Sequence, residues 1–340
     1  MRRSHKTSRI EQQMLAITAK KRYNKNVNLS GRTANGKTGA ESVMERAAQQ
    51  ESKKKRRRLG TGARVLCVLL AVLLVCCAVI IGFALRYKSH YRISFYRETS
   101  QKIVSGIRIA VISDIHNREY GEHNETLLTD LRALKPNLIL FLGDLVIREQ
   151  AEYQPVLNLI SASAAIAPCY GVLGNHESER IYSQNDRELL EKLEQAGLKL
   201  LRNACEMITI GSDRIQLLGV EGTAYGFEQY GGRAFMEETE IDPDAYCIVM
   251  THIPILFETQ LSAYKFDLGL AGHVHGGIVR LPFIGGLYSQ EEGFFPKLCD
   301  GKHTLNNGQS LIISAGLGDS KPFPPRINNP PELVVIDINR

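Results

Sequence analysis

The stretch "LGLAGHVHGG" (Leu268–Gly277) starts as an apolar run of strand length and ends in two histidines set among glycines. Were the strand to continue, His273 and His275 would share one face and the glycines would only weaken it. Glycine instead lets a backbone take positive φ and approach a neighbour closely. The stretch therefore reads as a strand running into a tight loop. Four more runs end the same way: "IRIAVISDIH" (Ile107–His116), "LILFLGDL" (Leu138–Leu145), "YGVLGNHE" (Tyr170–Glu177) and "CIVMTH" (Cys247–His252). Each is nearly continuous in apolar residues, as expected of strands covered on both faces. Between the early runs lie helical patterns. "NETLLTDLRAL" carries Leu127, Leu128, Leu131 and Leu134 on one stripe, and "NDRELLEKLEQAG" carries Leu189, Leu190, Leu193 and Ala196. In the second, Asn185 and Glu188 are spaced as a capping box and Gly197 as a stop. The alternation predicts an α/β fold, which gathers ligands at the carboxyl ends of its strands.

Those ends carry Asp114, His116, Asp144, Asn175, His176, His252, His273 and His275, including five of the nine histidines. Any one alone reads as a hydrogen-bonded core residue. Eight at five strand ends do not, because buried carboxylates and imidazoles are costly unless paired or metal-bound. The donors are oxygen and nitrogen without thiolate, a set that suits manganese, iron or zinc in a catalytic site. They outnumber the needs of one ion, so two ions sharing a carboxylate is the economical expectation.

The chain has 340 residues, and its charge is uneven. Residues 1–64 hold 18 Lys/Arg against 4 Asp/Glu, a net +14, while the remainder holds 24 against 32, a net −8. Residues 1–63, with "KKKRRR" at Lys53–Arg58, have too few large apolar residues to order a core and read as a disordered basic tail. No aromatics interleave the basic run, which argues against nucleic acid. Val65–Leu85 is 21 residues without a charge, long enough to cross a bilayer as a helix. A cleavable signal fits less well for want of a small-residue cleavage site, and Arg57–Arg58 leaves room for twin-arginine export. Lys/Arg are denser before the span than after it, which puts the N-terminus in the cytoplasm and the C-terminal domain outside. The expected division is a tail at 1–63, a membrane helix at 64–86, a linker at 87–105 and a catalytic domain at 106–340. Four cysteines outside the span read as small apolar residues, with one disulfide among them left open.

The ordered set "D-I-H … G-D … G-N-H-E … H … G-H-V-H" resembles the full motif set of the calcineurin-like metallophosphoesterases over residues 106–280. Further on, "GHVHGGIVRLP", "GFFPKLCDG" and "SAGLGDSKPFPPRINNPPELVVIDI" resemble the membrane-associated YkuE-type branch, relatives of pyrophosphatases that cleave UDP-diacylglucosamine. The resemblance implies a sandwich of two mixed β-sheets flanked by helices. It implies two divalent ions, manganese foremost, with iron, zinc or magnesium as alternatives. Asp114, His116 and His275 would hold the first, Asn175, His252 and His273 the second, and Asp144 both. His176 would face the leaving group as a general acid or orient the phosphate, and a hydroxide between the ions would attack in line.

Three departures stand out. Val274 occupies a position where Thr is frequent, and should point away from the metals. Ile278 and Ala315 replace residues that would line the substrate pocket. Arg280, Lys297 and Arg326 are candidate phosphate or head-group contacts. The expectation is a single-pass membrane phosphohydrolase acting outside the cytoplasm on a phosphodiester or pyrophosphate, small or lipid-linked. The alternatives are a phosphomonoesterase or nucleotide phosphodiesterase, and a scaffold keeping the fold without the chemistry. A scaffold should have lost a ligand, and this chain keeps all seven and His176.

Overall fold

The computed structural model describes residues 46–47, 49–50, 61–222, 226–319 and 325–340. Most of the basic tail lies outside them. Helix α1 (Thr61–Ser89) has a mean hydropathy of 3.3 over its most apolar stretch and no buried residue. At 1.5 Å per residue it is about 43 Å long, more than the ~30 Å of a bilayer core.

The strands follow: β1 (Arg92–Thr99), β2 (Ile107–Ile112), β3 (Leu138–Phe141), β4 (Cys169–Gly171), β5 (Leu198–Leu200), β6 (Ala204–Ile210), β7 (Asp213–Gly219), β8 (Tyr246–Met250) and β9 (Leu268–Ala271). Two small hairpins, β10–β11 (Arg280–Leu281 and Gly285–Gly286) and β12–β13 (Tyr288–Ser289 and Gly293–Phe294), precede β14 (Gly301–Thr304), β15 (Ser310–Ile313) and β16 (Glu332–Asn339). They build two six-stranded sheets, in the orders β1-β16-β2-β3-β4-β5 and β14-β15-β9-β8-β7-β6. Both are mixed: β16 runs antiparallel to β2 in the first, and β6 and β14 run antiparallel to their neighbours in the second.

Strand side chains alternate between faces, and here both faces are buried. Ile107, Ile109 and Val111 of β2 meet Ile215 and Leu217 of β7, and Ile248 and Met250 of β8, between the sheets. Ala110, Ile112, Ile139 and Phe141 point the other way, onto helices that include α2 (Glu125–Leu134) and α3 (Gln154–Ala164). Cys247, Val249 and Ala271 form the outer face of the second sheet, covered by Leu256, Phe257 and Leu261. Strands sandwiched this way have no polar face to show, which is why they read as unbroken apolar runs.

Two local expectations differ from the structure. Residues 92–99, expected in a linker, form β1, paired with β16 from Arg92↔Glu332 to Thr99↔Asn339. "RISFYRET" hides among polar residues because β1 is an edge strand: Ile93 packs on the helix side, Tyr96 packs between the sheets, and Phe95 stays exposed. The Asn185–Glu188 capping box does not form. The helix starts at Glu188, and Asp186 accepts the Leu189 N–H at 3.3 Å instead. Gly197 does end that helix, at φ 104°.

Cys169, Cys247 and Cys299 are buried and Cys205 is exposed; all seven cysteines are free thiols.

Candidate metal centre

The five strand ends converge, although they belong to different sheets. Asp114, His116, Asp144, Asn175 and His176 follow β2, β3 and β4 of the first sheet; His252, His273 and His275 follow β8 and β9 of the second. Three overlapping groups each bring ligand atoms within 4.8 Å: Asp114–His116–His275, His116–Asp144–His176 and Asp144–His252–His273. Asp144 belongs to two of them. Its Oδ2 lies 3.2 Å from His252 Nε2 and 3.8 Å from His116 Nε2.

Backbone strain marks the same residues. Asp114, His116, Asp144, His273 and His275 all have φ between 47° and 74°. Left-handed backbone is uncommon for residues with a Cβ, and it persists where surrounding structure holds it. Gly174 allows a close approach: a Cβ there would meet Asp144 Oδ1 at 2.2 Å.

The hydrogen bonds fit cations. His252 Nδ1 donates to the Leu142 carbonyl at 2.6 Å and His273 Nε2 to Glu291 Oε1 at 2.6 Å. Each commitment frees the other ring nitrogen, and these two lone pairs, His252 Nε2 and His273 Nδ1, face each other at 3.1 Å. That arrangement calls for a positive charge between them. Burial alone would lower the His252 pKa, but Asp144 outweighs it and pushes it up to about 10. Burial lowers His116 to about 4 and, with His116 and Arg326 beside it, holds His275 well below the ordinary imidazole value. Both stay neutral, the form that offers a lone pair. Burial would raise the Asp144 pKa, but His252 and His116 hold it well below the usual carboxylate range. Asn175 Oδ1 is buried without a hydrogen-bond partner, as a carbonyl oxygen kept for a cation would be.

His176 sits with His116 and Asp144 in one of the three groups. Its Nδ1 accepts the Arg148 backbone N–H at 3.0 Å, so the neutral ring carries its proton on Nε2. Burial lowers its pKa further.

Of the three candidate substrate cations, only Arg326 reaches the cluster. It is 1% exposed, with Nη2 3.2 Å from His275 Nδ1 and Nε 2.6 Å from Asp319. Arg280 is paired to Asp300, and Lys297 is exposed on the loop after β13. Val274 packs into the apolar cluster of the second sheet, away from the ligands as expected. Ala315 is wholly buried.

Two carboxylates were missed. Glu291 orients His273. Glu177 accepts four backbone N–H groups, from Asp144, Leu145, Val146 and Gly174, at 2.7–2.9 Å. It thereby clips the loop after β3 to the loop after β4. Burial and Asp144 push its pKa up to about 7, and the N–H donors pull it back. Glu177→Gln sets an amide N–H₂ against those donors and should cost on the order of 3 kcal/mol; a lowered denaturation midpoint checks it. The Glu of "GNHE" was visible, but its role depends on two loops meeting in space.

An α/β sandwich that presents this donor set at its strand ends is the scaffold of a metal-dependent phosphohydrolase. The chain belongs to the calcineurin-like phosphoesterases, whose family profile matches residues 107–277. It is 23% identical to the uncharacterized metallophosphoesterase YkuE of Bacillus subtilis, over 68% of this chain and 79% of that one. It is 24% identical to the phosphodiesterase YaeI of Escherichia coli, over 73% of this chain and 86% of that one. It is also 24% identical to the UDP-2,3-diacylglucosamine pyrophosphatase LpxG of Chlamydia trachomatis, over 68% of this chain and 83% of that one.

Proposed function

We propose that this metallophosphoesterase is anchored in a membrane and cleaves a phosphodiester or pyrophosphate bond in a lipid-linked substrate at the bilayer surface. One observation carries the reading. The last turns of α1, at Ala84, Tyr87 and Lys88, line the same cavity of about 610 Å³ as His116, Arg118 and Arg326. Arg118 donates to the Tyr87 carbonyl at 3.2 Å and fixes that wall. A helix with no polar face thus ends at the mouth of the candidate centre. The lipid pyrophosphate in the name of the chlamydial relative and the phosphodiester chemistry in that of the E. coli relative agree with it.

Two divalent ions, manganese foremost, would supply the charge that neutralises a phosphate and acidifies a water. Asp114, His116 and His275 would hold one ion, Asn175, His252 and His273 the other, and Asp144 both. The protein's own contributions are fixed orientation and hydrogen bonds. Glu291 keeps His273 Nδ1 turned inward, and the proton on His176 Nε2 is offered to a phosphoryl oxygen.

The full-length protein in vesicles should hydrolyse lipid-linked pyrophosphates or phosphodiesters faster than phosphomonoesters. It should lose activity on chelation and regain most with Mn²⁺. A preference for monoesters would favour a phosphatase; undiminished activity in a sample shown metal-free by elemental analysis would refute the metal centre.

The charge bias around α1 supports a catalytic domain outside the cytoplasm. Protease added to intact cells should remove an epitope at residue 340; protection until lysis would reverse the orientation.

A further inference from the structure

Between Arg280 and Phe295 the chain builds β10–β11 and β12–β13, and their apolar side chains face water. Phe283 is fully exposed, and Ile284, Tyr288, Phe294 and Phe295 are between 48% and 71% exposed. Tyr288 and Phe294 meet edge to face at 5.4 Å, and Phe294 and Phe295 lie 6.4 Å apart, so the aromatics form a patch. Phe283 and Phe295 sit at φ 67° and 59°. For bulky side chains this is outlier geometry, held here in the outward position. Soluble surfaces rarely carry such patches unless something covers them.

Two connections place the patch. It is seated on the candidate metal centre: a Cβ on Gly277 would meet Gly286 Cα at 2.7 Å, and Glu291, between β12 and β13, holds His273. It also neighbours the exit of α1. Asp300 binds Arg280 at the base of the first hairpin and, at 3.4 Å, Arg92, three residues beyond the end of α1. Exposed Lys297 flanks the aromatics. Aromatic rings backed by a cation suit the headgroup zone of a bilayer, where ring and charge are both accommodated.

We propose that the two hairpins form a ledge that enters the bilayer surface, with Phe283, Ile284, Phe294 and Phe295 submerged beside the emerging α1. The occupant of the patch is lipid. The ledge would sink to about the 5–10 Å typical of interfacial elements, so that a lipid-linked phosphate meets the centre without leaving its leaflet. The proposal rests on α1 being a membrane anchor, and its test separates the two.

The chain contains no tryptophan, so a single introduced one reports alone. The full-length protein would be reconstituted in vesicles of phosphatidylglycerol and brominated phosphatidylcholine, whose bromines quench tryptophan on contact. Leu73→Trp reports the span, Phe283→Trp and Phe294→Trp the ledge, and Met207→Trp, on β6 at the far edge of the second sheet, the aqueous domain. The expected result is severalfold quenching at 73, 283 and 294 and none at 207. Quenching at 73 alone would overturn the ledge and leave the anchor standing; a blue shift at 283 without quenching would mean that protein covers the patch. Equal quenching at 207 and 283 would overturn the ledge as nonspecific adsorption. No quenching at any site would overturn the anchor and the ledge together.

Discussion

Asp144→Asn should reduce turnover roughly 10³-fold or more, beyond the 10–100-fold typical of outer-shell changes at metal sites. Asp144 is the carboxylate common to two ligand groups, with His252 and His116 both within 4 Å. Its Oδ1 also accepts the His176 backbone N–H at 2.9 Å. Asparagine keeps the shape and removes the charge. Losing that charge should weaken both cation positions at once, whereas Asp114→Asn or His273→Ala touches one. The check is metal content by elemental analysis alongside the rate. Asp144→Asn should retain less metal and less activity than either comparison variant. A variant with both ions and near-normal turnover would show that Asp144 is not the shared ligand.

His176→Ala should cost about 10²–10³-fold, the usual scale for one hydrogen-bond donor to developing charge, and equally on alkyl and nitrophenyl esters of the same phosphate. The alkoxide leaving group needs a proton and the nitrophenolate does not, so a general acid would be worth its typical 10²–10⁴-fold on the alkyl ester alone. The sequence left both roles open. The Arg148 N–H directed at Nδ1 disfavours the doubly protonated ring that a general acid requires. Burial disfavours it further. A neutral imidazole donating from Nε2 binds the phosphate regardless of what departs. Metal content should stay normal in His176→Ala and fall in Asn175→Ala. A loss confined to the alkyl ester would restore the general acid.

The legible parts of the molecule were those where burial is two-sided. The apolar runs of β2, β3, β8 and β9 stand out because neither face meets water, and their ends carry candidate ligands that the fold brings together. The unread parts depend on partners distant in the chain. The polar alternation of β1 gains meaning only once β16, some 240 residues later, supplies its neighbour. Glu291 looks like a surface carboxylate until the second hairpin folds it onto His273. Which of the five runs serves which sheet was also hidden, because a strand's sheet is set by pairing, which composition does not encode.

The position of β16 governs when this domain can form. It lies between β1 and β2, parallel to one and antiparallel to the other. Among the described residues β16 alone joins β1 to the rest of its sheet, so the strand that follows the helix waits for one some 240 residues later. Closing a loop of that length is entropically slow, and contacts so far apart in sequence come late in folding. Until β16 is made, β1 has no partner at the end of α1, and β2 has an unpaired edge. The eight residues of β16 therefore act as a keystone, and a ribosome that stops short of them leaves an unsealed sheet rather than a slightly shorter enzyme.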